Sequence, residues 1–149
     1  MATHYPLLIS QVQSLIQDER DVVANMANIS ALIFHSLEDL NWAGFYRNID
    51  GELVLGPFQG QTACIRIAFG KGVCGTAAAT REVQVIADVH QFEGHIACDA
   101  ASNSEIVLPI IHDGEIFGVL DIDSPTLNRF DRTDAKGLQG IVDVFVKSL

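Results

Sequence analysis

Cys98 lies in Phe92-Glu93-Gly94-His95-Ile96-Ala97-Cys98-Asp99-Ala100-Ala101-Ser102-Asn103-Ser104-Glu105, a thiol among small polar residues with Glu93, His95, Asp99 and Glu105 nearby in the chain. The stretch keeps neither a helical nor a strand period, and it runs directly into the apolar Ile106-Val107-Leu108-Pro109-Ile110-Ile111. It reads as a reactive loop anchored on a buried strand, a common way to hold a functional group still. A lone cysteine in such a place is also read as a small buried hydrophobe. Two further cysteines, Cys64 and Cys74, shift the weighting toward chemistry.

Zinc sites favour paired ligands two to four residues apart. Thiols at 64, 74 and 98, with His95 as the single close companion, give that reading no support. Redox chemistry is the better match: a cysteine that attacks an oxidised substrate becomes a sulfenic acid or mixed disulfide, which a second thiol resolves. Reactivity needs the thiolate, and carboxylates beside Cys98 would oppose its formation unless they hold protons themselves. Glu105, at the head of the apolar run, is placed to be desolvated and to keep a proton near neutral pH. Asp121 and Asp123 alternate in Val119-Leu120-Asp121-Ile122-Asp123, so both point to one face of a strand. Three acids and a thiol around one pocket would suit a substrate with a positive amine and an oxygen that must be protonated. The same two aspartates are also compatible with a solvated strand end. Trp42 and Tyr46, four residues apart on a strand candidate, share a face and either pack the sheet or wall a small pocket.

The elements that must position these groups follow from periodicity. Leu8, Val12, Leu15 and Ile16 predict a helix from Pro6 to about Asp18, with Pro6 suited to its first turn. Asp18-Glu19-Arg20-Asp21 can cap a second helix to about Leu37, lined by Val22, Met26, Ile29 and Ile33 with Leu32 beside them. Asn41–Arg47 and Leu53–Leu55 flank an Asp50-Gly51 hairpin turn, and residues 57–61 read as a loop. Thr62–Ile67 reads as a short strand carrying Cys64. Gly70-Lys71-Gly72-Val73-Cys74-Gly75 lacks the spacing of a phosphate-binding loop and predicts a tight turn, with a short helix over Thr76–Thr80. Val83–Asp88 is a further extended run. A second hairpin joins Glu105–Ile111 to Glu115–Asp123 through Asp113-Gly114, and Asp131–Ser148 closes the chain as a helix. This order predicts an α+β domain, residues 1–149, with helices packed on an antiparallel sheet.

Composition bounds the rest. The 149 residues suffice for one domain with a substantial core, and 48% hydrophobic against 19% charged residues excludes a disordered chain. A formal charge of −10 disfavours nucleic acid and anionic membrane surfaces as partners. No apolar run approaches the roughly 20 residues of a membrane span, and the start lacks the pattern of a signal peptide. The expected location is cytoplasmic, where three cysteines are redox, metal or buried thiols and not a structural disulfide framework.

The chain resembles the free methionine-(R)-sulfoxide reductases, a family built on a GAF domain. The resemblance covers nearly all of it. It is carried by Asn41-Trp42-Ala43-Gly44-Phe45-Tyr46, Gly56-Pro57-Phe58-Gln59-Gly60, Ala63-Cys64-Ile65-Arg66-Ile67 and Gly70-Lys71-Gly72-Val73-Cys74-Gly75. His95-Ile96-Ala97-Cys98-Asp99, the run Ser102–Val107 with Pro109, and Gly118-Val119-Leu120-Asp121-Ile122-Asp123-Ser124 continue it. The resemblance implies a central antiparallel sheet of about six strands between helices. It implies that Cys98 attacks the sulfoxide sulfur, leaving a sulfenic acid and free methionine. Cys64 would resolve it as a Cys64–Cys98 disulfide that thioredoxin reduces. Cys74 matches a third cysteine that relays the disulfide or packs. Glu105, Asp121 and Asp123 match acids that hold the substrate amine and protonate the departing oxygen, and Trp42 and Tyr46 match the aromatic wall. No metal or organic cofactor is implied, and the oligomeric state stays open, a homodimer included. The rival reading is a GAF module that senses a small ligand, or redox state, without catalysis.

Overall fold

Local signals start and stop most of the elements. In the computed structural model, which describes residues 3–94 and 101–149, helix α1 (Tyr5–Ile16) begins where the His4 side chain accepts the Leu7 N–H and Pro6 occupies the first turn. Helix α2 (Val22–Ser36) is capped by Asp21, which accepts from the Ala24 N–H at 2.8 Å. Strands β1 (Trp42–Ile49) and β2 (Glu52–Gly60) form the first hairpin, with Asp50 and Gly51 both at positive φ in its turn. Next come β3 (Arg66–Ala68), α3 (Gly72–Thr80) and β4 (Gln84–Ile86), then the hairpin β5 (Ser104–His112) and β6 (Glu115–Ser124). Helix α4 (Arg132–Lys147) closes the chain behind a capping box made by Asp131 and Asp134.

The six strands make one sheet in the order β3-β2-β1-β6-β5-β4, antiparallel at every pairing. Its two faces carry different cores, and side-chain alternation assigns them. Ala43, Phe45, Ile106, Leu108, Ile110, Leu120 and Ile122 face α1, α2 and α4. Trp42, Tyr46, Leu53, Val107 and Val119 face the other way, against Val73, Cys74, Ala77 and Ala78 of α3. On the first side the Tyr5 hydroxyl donates to Asp134 Oδ1 at 2.6 Å in a buried contact, which ties α1 to α4.

Three differences from the sequence reading bear on the site. Residues 57–60, expected as loop, extend β2, because β1 offers partners as far as Trp42↔Gly60. The β1–β2 register shifts between Gly44 and Tyr46, and Pro57, which has no N–H to give a ladder, falls at this irregularity. The strand expected over 62–67 is shorter and later, Arg66–Ala68, which leaves Cys64 on a connecting segment. Helix α3 begins at Gly72, not Thr76, so Cys74 is in its first turn and not in a turn before it. Small residues on α3 let it lie close on the sheet.

Candidate active site

Register builds the acidic cluster. In the β5–β6 ladder Glu105 lies opposite Asp123 and Val107 opposite Asp121. In the β1–β6 ladder Trp42 lies opposite Asp123 and Gly44 opposite Asp121. Alternation then sends Trp42, Tyr46, Glu105, Asp121 and Asp123 to the α3 face together, as their spacing predicted. The three carboxyl groups are buried, at 7%, 5% and 9% exposure for Glu105, Asp121 and Asp123, so the solvated strand end is ruled out.

Helix α3 delivers Cys74 to the same place, its Sγ 3.9 Å from Glu105 Oε2. Burial pushes the Glu105 carboxyl well above its ordinary 4.5, and the charges of Asp121 and Asp123 and hydrogen bonds with both push it further. Burial likewise raises the Cys74 thiol, with Asp121, Glu105 and Asp123 adding to the effect. The Tyr46 hydroxyl is raised first by burial and then by Asp121. The site therefore sets a carboxyl and a thiol that both favour their protonated forms beside further acids. It can donate a proton and receive a cation. Cys74, Glu105 and Asp121 also bring one ligand atom each within 4.8 Å of one another, and among the described residues this is the set that could hold a metal ion.

The aromatic wall is larger than Trp42 and Tyr46. Their rings stack at 6.0 Å and 23°, and Phe58 stacks on Trp42 at 5.1 Å and 15°. Gly44 makes room for it, since a Cβ there would collide with Phe58 Cβ. Reading 57–61 as loop hid this ring; its place in a strand facing β1 is the signal that would have found it.

Both wall residues also reach the segment that carries Cys64. Trp42 Nε1 donates to the Gln61 carbonyl at 3.1 Å, and the Tyr46 hydroxyl donates to the Cys64 carbonyl at 2.8 Å. Cys64 is half-buried and disulfide-bonded, whereas Cys74 is a free thiol. His95, Cys98 and Asp99 lie outside the described residues, and Glu93, expected near the thiol, is exposed. The head of β5 is pinned by polar contacts of residues to which the sequence reading gave no individual role. Asn41 Nδ2 donates to Ser102 Oγ at 3.0 Å, Asn103 Nδ2 to the Pro125 carbonyl at 2.7 Å, and Ser104 Oγ to the Thr126 carbonyl at 2.6 Å. Glu105 thus starts from a fixed backbone.

Comparison with known proteins agrees with this geometry. A family model described as GAF domain matches residues 23–145. The chain is 59% identical over 147 residues to Protein YtsP of Bacillus subtilis, covering 97% of this chain and 90% of that one. It is 54% identical over 145 residues to the free methionine-R-sulfoxide reductase of Escherichia coli, covering 97% and 88%. The structure of fRMsr of Staphylococcus aureus in complex with substrate superposes with a TM-score of 0.96 at 54% identity, covering 100% of this chain and 97% of that chain. A buried cluster of acids on the α3 face of a GAF sheet, and identity to such relatives along nearly the whole chain, place this protein in the GAF-domain family of free methionine-R-sulfoxide reductases.

Proposed function

We propose that this chain reduces the R epimer of free methionine sulfoxide to methionine in the pocket between the sheet and α3. The observation that carries the mechanism is the buried Glu105 carboxyl beside Asp121 and Asp123, where burial raises it well above its ordinary value. Sulfoxide oxygen leaves poorly until it is protonated, so a carboxyl that keeps its proton near neutral pH is the group the reaction needs. Cys98 attacks the sulfoxide sulfur, Glu105 protonates the oxygen, and the oxygen ends on the cysteine as a sulfenic acid while methionine departs. Cys64 then attacks the sulfenic sulfur, forming a Cys64–Cys98 disulfide and releasing water. Thioredoxin, a dithiol protein of the reducing cytoplasm, returns both cysteines to thiols and is itself oxidised.

Asp121 and Asp123 hold the substrate ammonium, and Trp42, Tyr46 and Phe58 wall the methyl sulfoxide end. A site that pairs the free ammonium directly discriminates against sulfoxide inside a peptide, whose nitrogen is an uncharged amide. Cys74 serves the pocket as a protonated thiol against Glu105.

The test is reduction of separated R and S epimers of free methionine sulfoxide with thioredoxin, its reductase and NADPH, with peptide-bound sulfoxide alongside. Turnover of the free R epimer alone, lost in Cys98→Ser, is the expected result. No turnover of any sulfoxide by folded, reduced protein would replace this reading with a ligand sensor.

A further inference from the structure

Residues 61–65, between β2 and β3, form no helix or strand, yet the segment carries Cys64. Its backbone carbonyls are held at three points: Gln61 by Trp42 Nε1 at 3.1 Å, Cys64 by the Tyr46 hydroxyl at 2.8 Å, and Ile65 by the Leu55 N–H at 2.9 Å. Two of the three donors are side chains of β1 whose rings stack on the face of the sheet that carries the acids. Trp42 and Tyr46 are both 2% exposed and stacked on each other, so their polar tips are as fixed as the sheet itself.

We propose that Tyr46, with Trp42 as a second anchor, is a positioning residue for the resolving step, its hydroxyl fixing the backbone that carries the Cys64 sulfur, which is disulfide-bonded in this structure. The proposal rests on the reading of Cys64 as the resolving thiol. In that step Cys64 loses its proton, its sulfur bonds to the sulfenic sulfur, and the S–O bond breaks to release water. The reaction joins a thiol and a sulfenic acid on different segments, so its rate depends on how often they meet in line, and displacement of about 1 Å can cost roughly 100-fold. A carbonyl held by a tyrosine rooted in a central strand limits that displacement. The arrangement also couples two stages of the cycle, because the rings that receive the substrate hold the segment needed after methionine has formed.

The test is single turnover by Tyr46→Phe, which keeps the ring and removes only the donor. Methionine release and loss of free thiol are followed in parallel after mixing reduced protein with free methionine-R-sulfoxide, with dimedone trapping of the sulfenic acid. The expected result is that the ratio of disulfide formation to methionine formation falls about 10-fold, the size of a displaced but surviving segment, and that trapped sulfenic acid rises. A ratio equal to that of the unmodified protein would overturn the proposal, whatever happens to the first step. Trp42→Phe, which removes the donor to Gln61, should shift the ratio in the same direction, and gives the same readout if Tyr46→Phe folds poorly. Absence of methionine in the unmodified protein would overturn the reductase reading itself, a result distinct from an unchanged ratio.

Discussion

Glu105 and Asp123 are direct cross-strand partners in the β5–β6 ladder, and both are buried on the side of the sheet that α3 covers. Like charges directly opposite each other destabilise a sheet. Burial, and after it the neighbouring aspartates, lift Glu105 well above its ordinary 4.5, which favours its protonated form and lessens that repulsion.

Replacing Glu105 by Gln keeps the shape and a hydrogen-bond donor but removes the transferable proton. Methionine formation is expected to slow by roughly 10²–10⁴-fold, the usual range for a general acid, with folding retained by circular dichroism. A near-normal rate would remove Glu105 from the proton-donor role.

Stability should depend on pH with a defined sign. The folded protein holds a proton on Glu105 that the unfolded chain releases near pH 4.5. Stability from this group is therefore present in full below about pH 4.5, and it is lost as pH rises toward and through the raised folded value. Urea midpoints of the parent and Glu105→Gln should diverge in that window, the variant gaining as pH increases. Parallel midpoints across the range would contradict a raised carboxyl.

Cys74 is buried against Glu105 with its thiol pushed up, so it should resist alkylation in the native state and react fully in urea. Cys74→Ala is expected to cost about 1 kcal/mol of stability from the lost sulfur contacts. It should leave thioredoxin-supported turnover within a few-fold; its abolition would instead make Cys74 a relay in the reduction of the disulfide.

Tyr5→Phe tests the independence of the two faces. Removing the hydroxyl that donates to buried Asp134 should destabilise the fold by about 1–3 kcal/mol. The change sits on the α1–α4 side, so the Michaelis constant for the sulfoxide should stay at its parent value.

Much of this arrangement was readable from residue order. Both Asp-Gly turns, the cap of α2 within residues 18–21, and the alternation of Asp121 and Asp123 are local signals, and each stands where expected. What escaped was set by partners distant in sequence. Gly56 to Gly60 carries little strand propensity, and becomes strand because β1 supplies a ladder as far as Trp42. Gly72 to Gly75 has weak helix propensity, and becomes helix where small side chains allow close packing on β5 and β6. The hydroxyl of Tyr46 could be foreseen to need a partner, but no spacing rule names the carbonyl of Cys64.

The division of the sheet into an oily side and an acidic side has a consequence for how such a chain can vary. On β5 and β6 the residues of the aliphatic core and those of the acidic cluster are interleaved one by one, as Ile106 beside Glu105 and Ile122 between Asp121 and Asp123. Point replacements can therefore alter either role while sparing the other. Insertion or deletion of a single residue within these strands cannot, because it would exchange the sides wholesale, placing isoleucine in the pocket and carboxylates in the oil. Variation in such a chain should therefore proceed by single substitutions there, and confine changes of length to the turns.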